Sequence, residues 1–116
     1  MEMKTTMDIN AAADSLAALG HDTRLAIYRL LVQAGSEGLN AGVISARLAL
    51  APATLSFHLA HLTRTGLVGS RPEGRFIYYR ADYARMNELL GFLTANCCEG
   101  QPCATIETCC PEGEPA

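Results

Sequence analysis

The feature that most constrains this chain is an amphipathic segment at residues 52–65, which is bounded by a proline and a glycine. Pro52 fits the first turn of a helix, where its missing N–H leaves no hydrogen bond unmade. Gly66 is the residue type most often found just past a helix end. Three leucines at i, i+4 and i+7 give one apolar stripe: Leu55, Leu59 and Leu62. The segment is therefore predicted to be an α-helix packed on a core.

The opposite face of this predicted helix carries small, hydrogen-bonding and basic side chains. Its centre and flanks comprise Ala53, Phe57, Ala60 and Arg64, with Thr54, Ser56 and His61 beside them. Such a face suits a helix lying in a DNA groove. A surface helix without any ligand explains the leucine stripe equally well. The neighbouring segments are therefore needed to distinguish a DNA-binding helix from an ordinary surface helix.

Three further helices are predicted upstream. Residues 8–19 are rich in Ala and Leu and end at Gly20, residues 23–34 follow Asp22 as a cap, and residues 41–48 form a short helix. A brief turn then leads into the helix at Pro52. Two helices joined by such a turn form a helix-turn-helix.

Downstream of Gly66 the hydrophobic period changes from helical to extended. Residues 67–71 and 75–80 are prone to form strands around the turn Pro72-Glu73-Gly74, with an arginine on each side of the tip. Residues 83–98 return to a helical period. The predicted fold class is mainly α with a β-hairpin wing (α+β). It is a winged helix-turn-helix of four helices, two strands and a fifth helix.

The length of 116 residues predicts one domain, assigned to residues 1–106, followed by a flexible tail of Cys, Pro and acidic residues at 107–116. No run approaches the roughly 18–20 apolar residues of a membrane span, and the N-terminus has no apolar segment typical of a secretory signal. We therefore expect a cytoplasmic protein without a membrane partner. No phosphate-binding glycine loop, nucleophile elbow or zinc-hydrolase histidine pair is present, so no enzyme is expected.

Positive charge is concentrated in the middle of the chain, although the net charge is −3. Residues 38–81 contain five arginines against Glu73 alone, whereas residues 1–37 and 82–116 are both acidic. A local basic patch is what contact with DNA phosphates requires. The predicted DNA contacts are Thr54, Ser56, Phe57, His58, His61, Arg64, Arg71 and Arg75. Asp22 and Arg24 are expected to be a cap and a surface charge.

All five cysteines lie in the last 20 residues: Cys97, Cys98, Cys103, Cys109 and Cys110. A disulfide framework would distribute its cysteines along the fold, and five is an odd number. Clustered thiols in a cytosolic chain more often indicate metal binding or redox chemistry.

From about Leu16 to Cys103, the order and spacing of several motifs resemble the ArsR/SmtB family of metal-sensing repressors. The matching segments are Leu-Gly-His-Asp-Thr-Arg-Leu-Ala-Ile at 19–27, Leu-Ser-Phe-His-Leu at 55–59 with Leu62, Thr-Gly-Leu-Val at 65–68, Arg-Pro-Glu-Gly-Arg at 71–75 and Ile-Tyr-Tyr at 77–79. The resemblance implies a homodimer built on the first and last helices. It also implies repression of a promoter with double-stranded operator DNA as partner, relieved when a metal or metalloid binds.

The resemblance also limits which residues of this chain can be metal ligands. Many arsenic sensors of this family carry thiols at the start of the third helix, but residues 39–43 contain none, and the acidic and histidine ligands of the family's zinc and nickel sites are missing. Cys97, Cys98 and Cys103 instead resemble an arsenic-sensing subgroup with thiols at the end of the last helix.

Three soft thiolates without a histidine or carboxylate suit trivalent arsenic, the predicted inducer, either as inorganic arsenite or as a methylated organic arsenical, and antimony(III) shares this chemistry. Zinc prefers four ligands, which Cys109 or Cys110 could complete. Alternatives are therefore a zinc, cadmium or lead sensor, a thiol redox switch, or a thiol-rich metal carrier without a promoter. Adjacent helical residues point about 100° apart, so the last helix is expected to end or distort near Cys98 for the three thiols to meet.

Overall fold

The computed structural model describes residues 7–95, which contain five α-helices and three β-strands. In chain order these are α1 (Ile9–Leu19), α2 (Asp22–Ala34), β1 (Leu39–Asn40), α3 (Ala41–Leu48), α4 (Pro52–Arg64), β2 (Val68–Glu73), β3 (Phe76–Ala81) and α5 (Tyr83–Leu93). The predicted fold class is confirmed, with β1 as an element that the sequence did not reveal.

The starts of the first three helices are set by local side-chain caps. Asp8 accepts a hydrogen bond from the Ala11 N–H at 2.8 Å, and Asn40 accepts one from the Val43 N–H at 2.9 Å. The prediction that Asp22 caps α2 is wrong. His21 is the cap, because its Nδ1 accepts from the Thr23 N–H at 3.1 Å while Asp22 already lies in the first helical turn.

Helices α3 and α4 form the predicted helix-turn-helix and are bent by 112° relative to each other. The bend begins at Ala49, which adopts a left-handed conformation with φ of 56°. It is closed by a hydrogen bond from the Ser45 hydroxyl to the Leu50 carbonyl oxygen. The predicted leucine stripe of α4 is confirmed, since its three leucines are at most 3% exposed and pack in the main core with residues of α2, α3 and the sheet.

The wing is an antiparallel three-stranded sheet in the order β1-β3-β2. The predicted turn Pro72-Glu73-Gly74 is displaced, because Pro72 and Glu73 pair with Ile77 and Phe76. The turn is Gly74-Arg75, and Gly74 has the positive φ, 65°, that favours glycine in tight hairpins. Proline is tolerated in β2 because this is an edge strand, where a missing N–H need not break a ladder bond.

Helix α5 is shorter than the predicted helix at 83–98. It ends at Leu93, where the Thr94 hydroxyl donates to the Leu90 carbonyl oxygen at 2.9 Å and Thr94 leaves the helical conformation. Residues 94–95 form a turn. The predicted thiol ligands and the predicted domain boundary at residue 106 lie outside the described residues.

A second, smaller core joins the first and last helices. Met7, Ala12 and Leu89 are buried together between α1 and α5. The outer surfaces of both helices nevertheless remain apolar, with Ile9 68%, Leu16 43%, Leu90 51% and Leu93 50% exposed. No single helix within residues 7–95 is both long and apolar enough to cross a membrane, and the one consecutive pair of sufficient length and apolar composition is the bent α3–α4 unit.

Candidate nucleic-acid interface

The outward face of α4 presents most of the predicted DNA-contacting side chains to solvent. Thr54, Ser56, Phe57 and Arg64 are exposed, whereas His61 is half-buried on one flank. Phe57, Ala60, His61 and Arg64 line an open depression of about 320 Å³. The helix therefore offers a shallow apolar surface with a cation near its C-terminal end, where no other part of the described chain covers it.

The structure does not place His58 on the exposed face of α4 that carries the other predicted DNA contacts of this helix. His58 is 7% exposed and lies on the core face of α4, with its Nδ1 3.2 Å from Nη1 of Arg24. The sequence contained the signal for this orientation, because His58 follows Leu55 by three residues and precedes Leu62 by four, which places it within the leucine stripe.

Arg24 is a buried brace, whereas the sequence suggested a surface charge. It is 9% exposed, and its Nε donates to the Ala18 carbonyl oxygen at 2.7 Å. Because a guanidinium can only donate, the contact with Nδ1 requires His58 to be an acceptor at that atom and hence neutral. Arg24 thereby ties the end of α1 to the middle of α4.

The imidazoles of His58, which is buried, and His61, which is half-buried, both favour the neutral form. Burial, then the neighbouring His21, Arg24 and His61, lowers the pKa of His58, and Asp22 opposes the shift. Burial, then Arg24 and Arg64, lowers the pKa of His61, and Asp14 opposes it. The Nδ1 of His61 is buried without a hydrogen-bond partner among the described residues. Burial in a cationic neighbourhood is thus the common cause.

We expect this histidine pair to make the fold less stable in mild acid. Because the folded pKa values lie below the ordinary value of 6.5, the unfolded chain binds more protons once the pH falls below about 6.5. The free energy of unfolding should therefore fall as the pH drops through this window and level off below the folded pKa values. Urea denaturation between pH 7.5 and 5 measures the slope, which His58→Gln with His61→Gln should reduce. An equal slope in that double variant would contradict the assignment.

The wing arginines differ in how far they are already engaged. Arg71 donates to the Glu37 carbonyl oxygen at 3.2 Å and to Glu73 Oε1 at 2.9 Å, and its guanidinium carbon lies 5.1 Å from the centre of the Tyr78 ring. Arg75 is exposed in the hairpin turn. Arg71 therefore braces the wing against the segment before β1, and Arg75 is the arginine that the tip presents to solvent.

Within residues 7–95, no group of three or more His, Cys, Asp and Glu side chains could hold a metal ion. The predicted ligands Cys97, Cys98 and Cys103 follow this part of the chain. The exposed face of α4 and the wing tip therefore form the candidate site that the described residues present, and its chemistry suits DNA.

Comparisons with known proteins agree with the described architecture. A family model for a helix-turn-helix domain matches residues 19–71. The transcriptional activator HlyU of Vibrio cholerae serotype O1 is 32% identical over 84 residues, which cover 72% of this chain and 75% of the relative.

Solved structures extend the similarity beyond the helix-turn-helix. An ArsR-like transcriptional regulator from Rhodococcus sp. RHA1 superposes with a TM-score of 0.68 at 30% identity, covering 90% of this chain and 96% of the other. A possible transcriptional regulator for arsenical resistance gives a TM-score of 0.62 at 29% identity, covering 71% and 82%.

A homodimeric winged helix-turn-helix DNA-binding domain from Mycobacterium bovis, a possible ArsR-family regulator, gives a TM-score of 0.60 at 29% identity, covering 80% and 86%. The alignment with HlyU spans 75% of that relative's length, and the Rhodococcus structure shares the fold over 90% of this chain. The chain therefore belongs to the ArsR/SmtB family of winged helix-turn-helix DNA-binding transcriptional regulators.

Proposed function

We propose that this regulator is a homodimeric repressor that leaves its operator when trivalent arsenic binds the thiolates of Cys97, Cys98 and Cys103. The observation that carries the sensing part is the placement of every cysteine of the chain after α5, while residues 7–95 supply no metal site. The similarity to a possible regulator of arsenical resistance supports the same ligand.

Thiolate chemistry favours arsenite among candidate inducers. Trivalent arsenic and antimony bind three thiolates in a pyramid, with a lone pair in the fourth direction, and soft sulfur ligands select such soft ions. Zinc favours a closed set of four ligands. The spacing Cys97-Cys98-x4-Cys103 provides three thiols with Gly100 and Pro102 between them. Glycine permits a sharp reversal and proline favours an extended residue before it.

The apolar surface shared by α1 and α5 is the proposed dimer seam. Ile9 and Leu16 are spaced i and i+7 on α1, and Leu90 and Leu93 are spaced i and i+3 on α5, so each pair lies on one face of its helix. Exposed apolar patches of this kind mark interaction sites. The homodimeric M. bovis relative supports a second copy as the occupant.

The seam supplies a route from inducer to DNA. The cysteines follow α5 directly, and α5 packs on α1 through Leu89 and Ala12. A ligand that rearranges the chain after Leu93 changes the end of the seam and hence the separation of the two α4 helices. A twofold dimer must match half-sites roughly 34–36 Å apart, so a small change in separation lowers affinity.

The test is a titration of the full-length protein on the DNA upstream of its own gene, followed by fluorescence anisotropy. The proposal expects specific binding under reducing conditions and release by about one arsenite per chain. Release by zinc, cadmium or lead but not by arsenite would show that the inducer is that metal ion instead of arsenic. Release by oxidant alone would indicate a disulfide switch. Absence of specific DNA binding together with tight thiol-dependent metal binding would indicate a carrier.

Leu90→Glu is expected to dissociate the dimer. A carboxylate placed in an apolar seam loses its hydration without gaining a partner, which opposes association. Sedimentation velocity should show a monomer, and operator affinity should fall by roughly 10²-fold because the two half-sites are no longer bound together. Ala84→Glu, which adds the same charge at another exposed position of α5, is the matched control. If the Leu90→Glu protein remains dimeric, the dimer interface does not include this surface of α5.

Arg64→Ala and Arg75→Ala are expected to weaken DNA binding for all sequences. Each removed phosphate contact should reduce the slope of log affinity against log salt by about 1, because fewer counterions are released on binding. Affinities measured from 50 to 200 mM salt give this slope. Arg29→Ala, which removes an exposed cation from α2, is the control. An unchanged slope for Arg75→Ala would place the wing tip away from the DNA.

A further inference from the structure

Phe57 is a large apolar side chain at the centre of the proposed DNA-binding face. It is 67% exposed, although burying a phenylalanine is worth roughly 1.5–3 kcal/mol. A single exposed phenylalanine needs no explanation by itself. The surroundings of Phe57 are what make this position informative.

The ring of Phe57 rests on the buried part of the fold. Its centroid lies 5.3 Å from that of His58, with the rings inclined at 68° in an edge-to-face arrangement. His58 is in turn held by Arg24. One edge of the exposed ring is therefore in contact with a side chain that is itself held in the core.

The depression beside the ring has the size and lining for a small apolar group. Phe57 and Ala60 provide apolar walls, His61 provides a half-buried wall at the flank, and Arg64 provides a cation at the end. The lowered pKa of His61, caused by burial and the nearby arginines, keeps this wall uncharged at neutral pH. A partner with anionic edges and a protruding methyl group matches this arrangement.

DNA supplies that combination in its major groove. Among the four bases only thymine displays a C5-methyl group there, and apolar side chains are its usual contacts. The negative charge of the phosphates beside the groove is complementary to segment 38–81, whose five arginines oppose one glutamate.

We infer that Phe57, together with Ala60, reads the 5-methyl group of a pyrimidine, normally thymine, in each half-site of the operator. This inference rests on the proposed entry of α4 into the major groove. It names a specificity determinant for that contact, in a depression formed by about two turns of α4.

The experiment uses the full-length protein and an operator selected from random duplexes, in which each thymine is replaced in turn by deoxyuridine. Deoxyuridine keeps the base pair and removes only the methyl group. At one or two symmetry-related positions, the replacement should weaken binding by about fourfold per half-site, as expected for losing one buried methyl-sized group. At the same positions, 5-methyldeoxycytidine should bind more tightly than deoxycytidine, which separates recognition of the methyl from recognition of the base pair.

Phe57→Ala should bind the thymine and deoxyuridine operators equally. Phe76→Ala removes another exposed phenylalanine, in the wing, and should retain the discrimination. Thermal melting verifies that Phe57→Ala remains folded, as an exposed position predicts. Specific binding without any deoxyuridine effect, or an effect that persists in Phe57→Ala, would overturn the inference and leave the proposed repressor intact. Failure to select any sequence would instead refute the DNA binding on which it rests.

Discussion

Arg24→Met should lower the free energy of unfolding by about 2 kcal/mol or more. The substitution keeps a long apolar stem but removes both donors, leaving the Ala18 carbonyl oxygen and His58 Nδ1 without the partners they have in the fold. Each buried polar group left without a partner costs about 1–3 kcal/mol, and some relief comes from no longer burying a charge. Urea denaturation at pH 7.5 measures the difference.

The matched control is Arg29→Met, at an exposed position of the same helix, which should change stability by no more than about 0.5 kcal/mol. Because His58 supports Phe57, we also expect Arg24→Met to weaken operator binding under conditions where the variant is fully folded. Equal stability losses in the two methionine variants would show that the buried contacts of Arg24 contribute nothing specific.

Replacing any one of Cys97, Cys98 and Cys103 by serine should abolish release by arsenite while leaving operator affinity unchanged. Serine is nearly isosteric with cysteine, but its hydroxyl is a harder ligand that does not ionise at neutral pH, so the three-thiolate pyramid cannot form. Anisotropy of a labelled operator, titrated with arsenite, reads both properties in one experiment.

The combined substitution of Cys109 and Cys110 by serine is the control and should respond as the unmodified protein does. Loss of the response in that variant would indicate a larger site, and full release in any single variant would remove that cysteine from the site. The response itself requires only a modest coupling, since about 1–3 kcal/mol between inducer and DNA changes affinity by 5- to 150-fold.

Local patterns in the sequence were sufficient to locate the five helices and most of the exposed face of α4. Period, caps and turn residues act over three or four positions, so the leucine stripe and its flanking Pro52 and Gly66 locate this helix without tertiary information. The exposed position of Phe57 and Arg64 follows from the same spacing, and the structure confirms it.

Short-range patterns were insufficient where a partner lies far along the chain. The two-residue strand β1 exists because Leu39 and Asn40 pair with Tyr79 and Tyr78. The close approach also requires glycine at position 38, since a Cβ there would clash with the Tyr79 carbonyl oxygen. Two residues are too few to show the alternation typical of a strand, and no neighbouring residue indicates that the pairing partners are Tyr78 and Tyr79.

The pair of His58 and Arg24 shows most clearly what the sequence determines by itself and what only the tertiary structure decides. Helical spacing alone places His58 among the buried leucines, because positions three and four residues apart share a face. The packing of α1, α2 and α4 then determines its partner, since Arg24 is 34 residues away and becomes a brace only when those helices meet. A buried donor needs an acceptor within hydrogen-bond distance, and only the assembled core brings the two side chains that close.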